Sequence, residues 1–309
     1  MKPHSAVVAV LAALALAPVA LAPVALAPVA FAAKPKPPPV PATPPPPAPP
    51  TDADMRTPDP KDLLVIETTK GRILVELNDV SAPAAAERMR QLARQGVYNG
   101  RLFFRVIDNF MDQTGDPVDS GVGASSLPNL QPEFTFKRGP ASPFVFVDRA
   151  GAVEEGFVGS LPVFSQPIAL GMMTVDHTVA AWGTFCPGVI GMARSDDPAS
   201  GNSQFFFMRT NANSADHANH ALDKIYTAAG RVIAGQDVVD AIKTGEPVAA
   251  PQDKMITVKV VADMPEADRP KVRIVDAGSA WAKATITRQQ ADLAPDFTVC
   301  SVKLPVEVK

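Results

Sequence analysis

The sequence predicts a mainly β protein built on a closed antiparallel barrel with a helix at each end. Three observations predict it: many short apolar segments with alternating polarity, turn residues between these segments, and only two segments with helical spacing, one early and one late. The chain has 309 residues, of which 46% are apolar and 20% charged. The part of the chain after the N-terminus can therefore bury a full core, which excludes a wholly disordered or membrane-spanning body. A parallel doubly wound sheet is disfavoured.

The N-terminal segment, residues 1–32, is typical of a cleaved secretory signal. Lys2 is its only formal charge, a run rich in Ala, Leu and Val follows, and residues 30–32 read AFA, the small-x-small pattern before a cleavage site. The run is long enough to span a bilayer, so an uncleaved membrane anchor is the alternative. Three prolines inside the run favour the signal, and we expect contact with the membrane only during export.

Residues 33–61 form a proline-rich segment, with prolines at each position from 44 to 47. Such a composition favours extended polyproline II over packed structure, so we expect a disordered spacer. A ligand for a proline-binding partner is the alternative.

The first folded elements are predicted to be a β-hairpin and a helix. Residues 63–77 read LLVIETTKGRILVEL, in which two apolar segments flank a turn. Ser81 then offers an N-cap, and an apolar stripe precedes Gly96, the expected C-terminal stop. This amphipathic helix is expected to cover one end of the barrel.

The rest of the barrel follows from the same alternation. Strands are expected at 103–107, 111–114, 189–193, 204–208, 230–233 and 255–262, and a second short helix at 236–243.

Two blocks of this sequence resemble the cyclophilin signature. Residues 103–116 read FFRVIDNFMDQTGD, similar to the pattern FHRVIxxFMxQxGD, and residues 201–207 read GNSQFFF, similar to the GSQFFI strand. Residues 191–193 and 222–232 follow in the family's order. The resemblance covers residues 62–262 and implies an eight-stranded cyclophilin-like barrel of bacterial type, with peptidyl-prolyl cis/trans isomerase activity. With the signal segment, it implies a periplasmic protein.

The chemistry of this reaction points to Arg105. Rotation about an X-Pro bond has a barrier of about 18–20 kcal/mol and breaks no bond, so the reaction requires no nucleophile, metal or cofactor. A fixed donor aimed at the proline nitrogen stabilises the twisted amide more than the planar one. A buried guanidinium is such a donor and keeps its proton. Outside this motif, Arg105 would be interpreted as a surface arginine in a salt bridge.

The resemblance also implies a substrate groove. Its expected residues are Phe110, Met111, Gln113, Ala193, Gln204, Phe206, Leu222 and Tyr226. Gln113 is expected to anchor the substrate backbone, and Phe206 to contact the proline ring with Phe110, Met111 and Leu222. Strand alternation places Phe205 and Phe207 on the face opposite Phe206, so the three rings cannot all serve one interior.

Residues 140–187 are an insertion relative to close members of the family. They are too apolar for a solvated loop, so we expect a small accessory lobe in which they pack with a C-terminal extension, residues 263–309. Within the extension, 272–275 and 298–308 are strand-like. Cys186 and Cys300 would form a disulfide that joins the two additions, and two isolated buried thiols are the alternative.

Other ligands receive little support. The net charge of −3 and the lack of a basic patch disfavour nucleic acid. His217 and His220 lie near Asp216 and Asp223, but the segment is polar and loop-like, so we expect no metal site.

The expected partners are proline-containing polypeptides, and the chain is expected to be a monomer. We expect it to accelerate folding of exported proteins. The alternative is a client-binding chaperone or envelope scaffold with little isomerase activity.

Overall fold

The computed structural model describes residues 45–309, so the predicted signal segment and the first part of the spacer lie outside the described residues. The strands are β1 (Met55–Arg56), β2 (Leu63–Thr68), β3 (Gly71–Leu77), β4 (Arg105–Ile107), β5 (Met111–Thr114), β6 (Phe136–Arg138), β7 (Phe144–Ala150), β8 (Val153–Val158), β9 (Leu161–Ser165), β10 (Val179–Gly183), β11 (Val189–Met192), β12 (Phe205–Met208), β13 (Ala228–Ala234), β14 (Met255–Val260), β15 (Val272–Val275) and β16 (Val306–Val308). The α-helices are α1 (Pro83–Arg94), α2 (Gln236–Asp240) and α3 (Ala280–Leu293). Within residues 45–309, no helix is both long and apolar enough to cross a membrane.

The main sheet is an antiparallel half-barrel of eight strands, in the order β14-β2-β3-β13-β11-β12-β5-β4. The predicted strands are confirmed, but the expected closed barrel is wrong, because β14 and β4 do not pair as a ladder. Isolated bridges link the two edges, Leu102 to Lys254 and Val106 to Gly245. The segment from Gly245 to Lys254 contains Pro247 and Pro251, which have no N–H to donate to a ladder.

Both predicted helices are present, with different ends. The N-cap of α1 is Ala82 and not Ser81, whose hydroxyl instead donates to the carbonyl of Ala228 at 3.2 Å. The backbone N–H groups of Ala84 and Ala85, in the first turn of α1, donate to the carboxylate of Glu133. This carboxylate therefore caps the helix from a distant loop. The second helix, α2, stops at Asp240 and is shorter than predicted.

The interior of the half-barrel holds one apolar core, which we call the barrel core. It includes Leu64 and Ile73 of the first hairpin, Leu92 of α1, and Phe205 and Phe207 of β12, all fully buried. Each of its buried residues lies between positions 64 and 260. Phe205 and Phe207 therefore lie on the same face of β12, as predicted.

The insertion forms most of a five-stranded antiparallel sheet with the order β6-β10-β9-β8-β7. Its edge strand β6 precedes residue 140, so the sheet begins before the predicted insertion. An apolar cluster, which we call the second core, joins Phe157 of this sheet to Ile286 of α3 and Val299 of the extension. The same cluster contains Phe206 and Leu222 of the main domain. The insertion and the extension therefore share a core with one outer face of the half-barrel.

The extension and the spacer pair with each other in a small sheet of order β1-β15-β16. The prediction of disorder up to residue 61 is therefore wrong for its last part, since Met55 pairs with Val275. The predicted strand at 298–308 is mostly wrong: Val299–Ser301 is a 3-10 helix, and only β16 is extended. The helix α3, which has 14 residues, was not predicted from the sequence.

A disulfide joins Cys186 to Cys300, whose Cα atoms lie 5.1 Å apart. Both residues belong to the second core, and both are buried. The bridge connects the end of the insertion to the C-terminal extension across 114 residues of sequence.

Candidate active site

A small pocket of about 80 Å³ lies on the outer face of β4, β5 and β12. We call it the Phe206 pocket. Its lining residues are Arg105, Phe110, Met111, Gln113, Ala193, Arg194, Phe206, Leu222 and Tyr226.

Phe206 forms the apolar floor of this pocket because β12 turns its ring away from the barrel core. Tyr226 packs edge-on against it with ring centroids 5.6 Å apart. Phe185, at the end of the insertion, stacks with it at 6.0 Å. A Cβ atom at Gly191, the residue opposite Phe206 on β11, would overlap the Phe206 ring. The floor therefore depends on a glycine of the main sheet and on an aromatic ring of the insertion.

Arg105 lies at the rim of the Phe206 pocket, on the edge strand β4. Its Nε donates to Oε1 of Glu246 at 2.5 Å, and its Nη1 lies 3.4 Å from Oε1 of Gln113, the residue opposite it on β5. The expectation of a buried guanidinium is wrong, since the side chain is 38% exposed. The reason is its position on an edge strand, which leaves one side open to solvent. The Arg105 guanidinium is therefore in contact with both solvent and the Phe206 pocket.

A second pocket of about 340 Å³ adjoins the first and shares Gln113, Ala193 and Arg194 with it. Gln113 donates to Gln204 at 3.0 Å, and Gln204 donates to the carbonyl of Gly123 at 2.8 Å. This chain of amides connects the Phe206 pocket to the loop at 117–123. We call this larger cavity the loop pocket.

Asp116 fixes that loop. Its carboxylate is fully buried and accepts hydrogen bonds from the backbone of Val118, Gly121 and Gly123. Burial alone would raise the pKa of Asp116, but these hydrogen bonds outweigh burial and hold the pKa below its usual value. The carboxylate is thus an anionic anchor for backbone N–H groups.

The structure brings the predicted residues together in two adjoining pockets. Arg105 and all predicted groove residues except Gln204 line the Phe206 pocket, and Gln204 lines the loop pocket beside it. No residue of 140–187 lines the Phe206 pocket, so the insertion supports the pocket from below and does not fill it.

Comparison with known proteins gives the family. Residues 63–262 match the model of the cyclophilin type peptidyl-prolyl cis-trans isomerase/CLD family. The chain belongs to this cyclophilin family. It is a peptidyl-prolyl cis/trans isomerase, an enzyme that interconverts the cis and trans forms of X-Pro bonds.

Relatives of this cyclophilin are named as peptidyl-prolyl isomerases and are matched over most of their own length. A probable peptidyl-prolyl cis-trans isomerase of Brucella suis is 29% identical over 220 residues, which cover 66% of this chain and 85% of the relative. The isomerase cyp18 of Streptomyces antibioticus is 30% identical over 179 residues, which cover 58% of this chain and 81% of the relative. The crystal structure of cyclophilin AquaCyp293 from Hirschia baltica superposes with a TM-score of 0.74 at 30% identity, covering 82% of this chain and 93% of that one.

Three contacts of this cyclophilin's pockets were not predicted from the sequence. Glu246 is separated from Arg105 by 141 positions, and no local pattern marks it. Phe185 lies at the end of the insertion, outside the two signature blocks. Asp116 ends the first signature block and could have been found there, because an aspartate before a glycine-rich turn commonly binds backbone N–H groups.

Arg194 forms part of the wall of both pockets. Its guanidinium lies 4.6 Å from the ring centroid of Tyr226, and its Nε donates to the carbonyl of Ile225 at 3.0 Å. Stacking of this kind holds a cation over an aromatic face. The cyclophilin therefore carries a second fixed positive charge beside Arg105.

The histidine cluster is an ion-pair network behind Leu222. His220 lies 2.7 Å from Asp216 and 3.3 Å from Asp223, and hydrogen bonds to Asp216 and then Asp223 raise the pKa of His220 to about 10. The Cys300 sulfur lies close to Asp216 and His220, but it is bonded to Cys186 and is not a thiolate ligand. Thr184 of the insertion and Thr298 of the extension bond to the two aspartates. The network thus ties the Leu222 segment to both additions.

Proposed function

We propose that this cyclophilin accelerates X-Pro isomerisation in exported polypeptides as they fold, with Arg105 as the catalytic donor. The observation that carries the proposal is the position of Arg105 at the rim of an apolar pocket of about 80 Å³. A pocket of this kind accepts a proline ring on the face of Phe206. The guanidinium then lies beside the nitrogen of that ring.

The catalytic step follows from the changing charge of the proline nitrogen. In the planar amide its lone pair is delocalised, and in the twisted amide the lone pair can accept a hydrogen bond. Glu246 binds the Nε of Arg105 and Gln113 accepts a long bond of 3.4 Å from Nη1, so the remaining N–H groups of the two Nη atoms can donate to that nitrogen. Gln113, held by Gln204, is placed to bind the backbone of the substrate. A donor fixed before the reaction stabilises the twisted state preferentially and lowers the barrier.

Measurement of cis/trans exchange in an Ala-Pro peptide by NMR tests this proposal. We expect Arg105→Ala to lower kcat/KM by about 100-fold or more, the range found when a preorganised donor is removed from a transition state. Arg72→Ala is the matched control, because Arg72 is an exposed arginine that pairs with Glu67 on the first hairpin. Equal rates for the wild type and Arg105→Ala would contradict the assignment.

We propose that the enzyme acts in the periplasm as a monomer. The composition of residues 1–32 and a disulfide of a kind common in oxidising compartments support this location. Fractionation of cells that express the full chain, with mass spectrometry of the product, tests it. We expect a periplasmic protein that begins at residue 33 and has the mass of a monomer by light scattering. An uncleaved chain in the membrane fraction would contradict the proposal.

A second candidate function is the holding of unfolded clients. The segment that connects β9 to β10 exposes Met172 and Met173, each 85% exposed, and Val175, which is fully exposed. Adaptable methionine-rich surfaces bind varied apolar partners. We expect suppression of aggregation of a reduced client to decrease in Met172→Ser/Met173→Ser. Unchanged suppression in this variant would remove the candidate.

A further inference from the structure

Residues 45–50, which read PPPAPP, lie next to the C-terminal extension. We call them the proline segment. The carbonyl of Ala48 in this segment accepts a hydrogen bond of 2.6 Å from Nε1 of Trp281, which lies in the first turn of α3. Trp281 is half-buried and lines neither the Phe206 pocket nor the loop pocket. Part of the predicted spacer is therefore bound to a tryptophan of the extension.

The burial of the proline segment has a period of three residues. Pro47 and Pro50 are half-buried, whereas the other four residues of the segment are exposed. Proline fixes φ at about −65° and restricts the residue before it to extended backbone, so this composition favours polyproline II. A polyproline II helix has three residues per turn, which places Pro47 and Pro50 on one face. The proline segment therefore turns one ridge of two prolines toward the protein.

The contact with Trp281 matches a common mode of polyproline recognition. Proline-rich ligands dock against aromatic side chains, and their preformed helix keeps the entropic cost of binding low. The indole of Trp281 supplies such a ring, and its N–H reaches the carbonyl of Ala48, which lies between the two half-buried prolines. A polyproline II helix has no internal hydrogen bonds, so its carbonyls are free to accept one.

Contacts outside the proline segment hold Trp281 in place. The backbone N–H of Trp281 donates to Oδ1 of Asp54 at 3.2 Å, and the carbonyl of Asp54 accepts a hydrogen bond from Asp276 at 2.8 Å. The hydroxyl of Ser279 caps α3 one turn away. The proline segment itself makes one hydrogen bond with the described residues, the bond to Trp281. The site is therefore formed by residues other than its occupant, and that occupant is weakly held.

We propose that Trp281 forms a second binding site of this isomerase, for proline-rich polypeptides, and that the proline segment occupies it until such a polypeptide displaces the segment. We call it the Trp281 site. The proline segment shows the chemistry of the partner, a polyproline II helix with prolines three residues apart. Because the segment is joined to the site through Thr51, it competes at an effective concentration on the order of millimolar. A proline-rich partner also carries X-Pro bonds, so the site suits an enzyme of this family.

NMR of the protein from residue 33 to residue 309 tests this proposal. The chain has two tryptophans, so the indole N–H groups of Trp182 and Trp281 give two signals. The probes are acetyl-PPPAPP-amide, which copies the proline segment, and acetyl-PPSAPS-amide, which lacks the two prolines of the ridge. We expect the first peptide to shift the Trp281 signal at a concentration at least about fivefold lower than the second. The signal of Trp182, a buried residue of β10, is the internal control. Equal titration by the two peptides would overturn the proposal.

Two double variants test the competition within the chain. Pro47→Ser/Pro50→Ser removes the ridge and leaves Trp281 in place, so we expect it to bind acetyl-PPPAPP-amide at least about fivefold more tightly than the wild type, because a larger fraction of the sites is free. Pro45→Ser/Pro46→Ser changes two exposed prolines and is the matched control, with the affinity of the wild type. Equal affinity of Pro47→Ser/Pro50→Ser and the wild type, or no binding by that variant, would overturn the proposal.

Substitution of the tryptophan separates its N–H donor from its ring. Adding Trp281→Phe to Pro47→Ser/Pro50→Ser is expected to weaken binding by about fivefold, as the loss of one neutral hydrogen bond predicts, with the backbone amide signals of α3 as the readout. Unchanged affinity would overturn the role of the indole. Exchange of the Ala-Pro peptide is expected to be unchanged in all these variants, so the Arg105 assignment is tested separately.

A second copy of the chain is the other source of a proline segment, and light scattering distinguishes it from a client. The proposal predicts a monomer at every protein concentration, with or without the substitutions. A dimer that Pro47→Ser/Pro50→Ser converts to a monomer would overturn the proposal, because the segment of one copy would then fill the Trp281 site of the other.

Discussion

Strand β12 separates two cores that differ in where their residues come from. On one face, Phe205 and Phe207 enter the barrel core, whose buried members all lie outside the insertion and the C-terminal extension. On the other face, Phe206 enters the second core with Phe185 of the insertion and Val299 of the extension. Neighbouring residues of one strand therefore enter cores that are assembled from different parts of the chain.

Two parts of one site can therefore depend on different regions of a chain. Arg105 and Gln113 are held by paired strands of the main sheet. The floor of the Phe206 pocket is instead supported from below by Phe185, an aromatic ring at the end of the insertion. We infer that disturbance of the accessory lobe changes the pocket floor, whereas the barrel core remains intact.

Removal of the disulfide is expected to have the largest effect, and it tests whether the two cores can be disturbed separately. We expect Cys186→Ala/Cys300→Ala, or reduction of the wild type, to lower the free energy of unfolding by about 4 kcal/mol, because the bridge closes a loop across 114 residues. Amide hydrogen exchange should show faster exchange in β7–β10 than in β2 and β3. Treatment of the double variant with reductant is the control and should change nothing. Equal loss of protection in both sheets would mean that the two cores unfold as one unit.

The strands of the half-barrel were predictable from sequence because the pattern that determines them lies within each short segment. Alternation along segments such as 63–77 fixes which side chains face inward, and the signature blocks place Arg105 and Gln113 on adjacent strands. Closure was not predictable in the same way. It depends on whether the segment near Pro247 and Pro251 can pair with β4, a contact between residues far apart in the sequence.

The accessory parts were less predictable because their contacts are long-range. The carboxylate of Glu133 caps α1 from a separate loop, so Ser81 was a reasonable but wrong choice for the N-cap. The helix α3 has an N-cap at Ser279, but it lacks a clear apolar stripe. The residues after Thr298 have strand-like composition, yet they turn to place Cys300 next to Cys186.

Substitution of Glu246 tests the side of the pocket that does not depend on the lobe. We expect Glu246→Ala to lower kcat by about three- to tenfold with little change in KM, because Arg105 loses the partner that orients its Nη groups. Glu246→Gln, which keeps an acceptor oxygen, should recover most of the loss. Stability should change by less than about 1 kcal/mol, since both partners of this ion pair are well exposed. A variant with wild-type kcat would show that Glu246 does not position Arg105.

The pH dependence of stability tests the link between Leu222 and the lobe, and it has the smallest expected effect. Hydrogen bonds to Asp216 and Asp223 raise the pKa of folded His220 to about 10 from an ordinary value of 6.5. The stabilisation from His220 is therefore complete below pH 6.5 and is lost as the pH rises through about 10. The difference in Tm between the wild type and His220→Gln should shrink between pH 6 and pH 10.5. His217→Gln is the control, because the ring of this exposed histidine contacts a backbone carbonyl, that of Asn211 at 3.1 Å, and a constant Tm difference for His220→Gln would exclude the link.

The most direct test of the two-core account compares two phenylalanines, neither of which lines the Phe206 pocket. Phe185→Leu removes the ring that stacks beneath Phe206, and Phe205→Leu removes a ring of similar burial from the barrel core. Both are expected to destabilise the protein, by about 1–2 kcal/mol each. The measurement is the KM for an Ala-Pro peptide at a temperature where both variants are folded. The account predicts a KM raised several-fold in Phe185→Leu and unchanged in Phe205→Leu, and a wild-type KM in Phe185→Leu would contradict it.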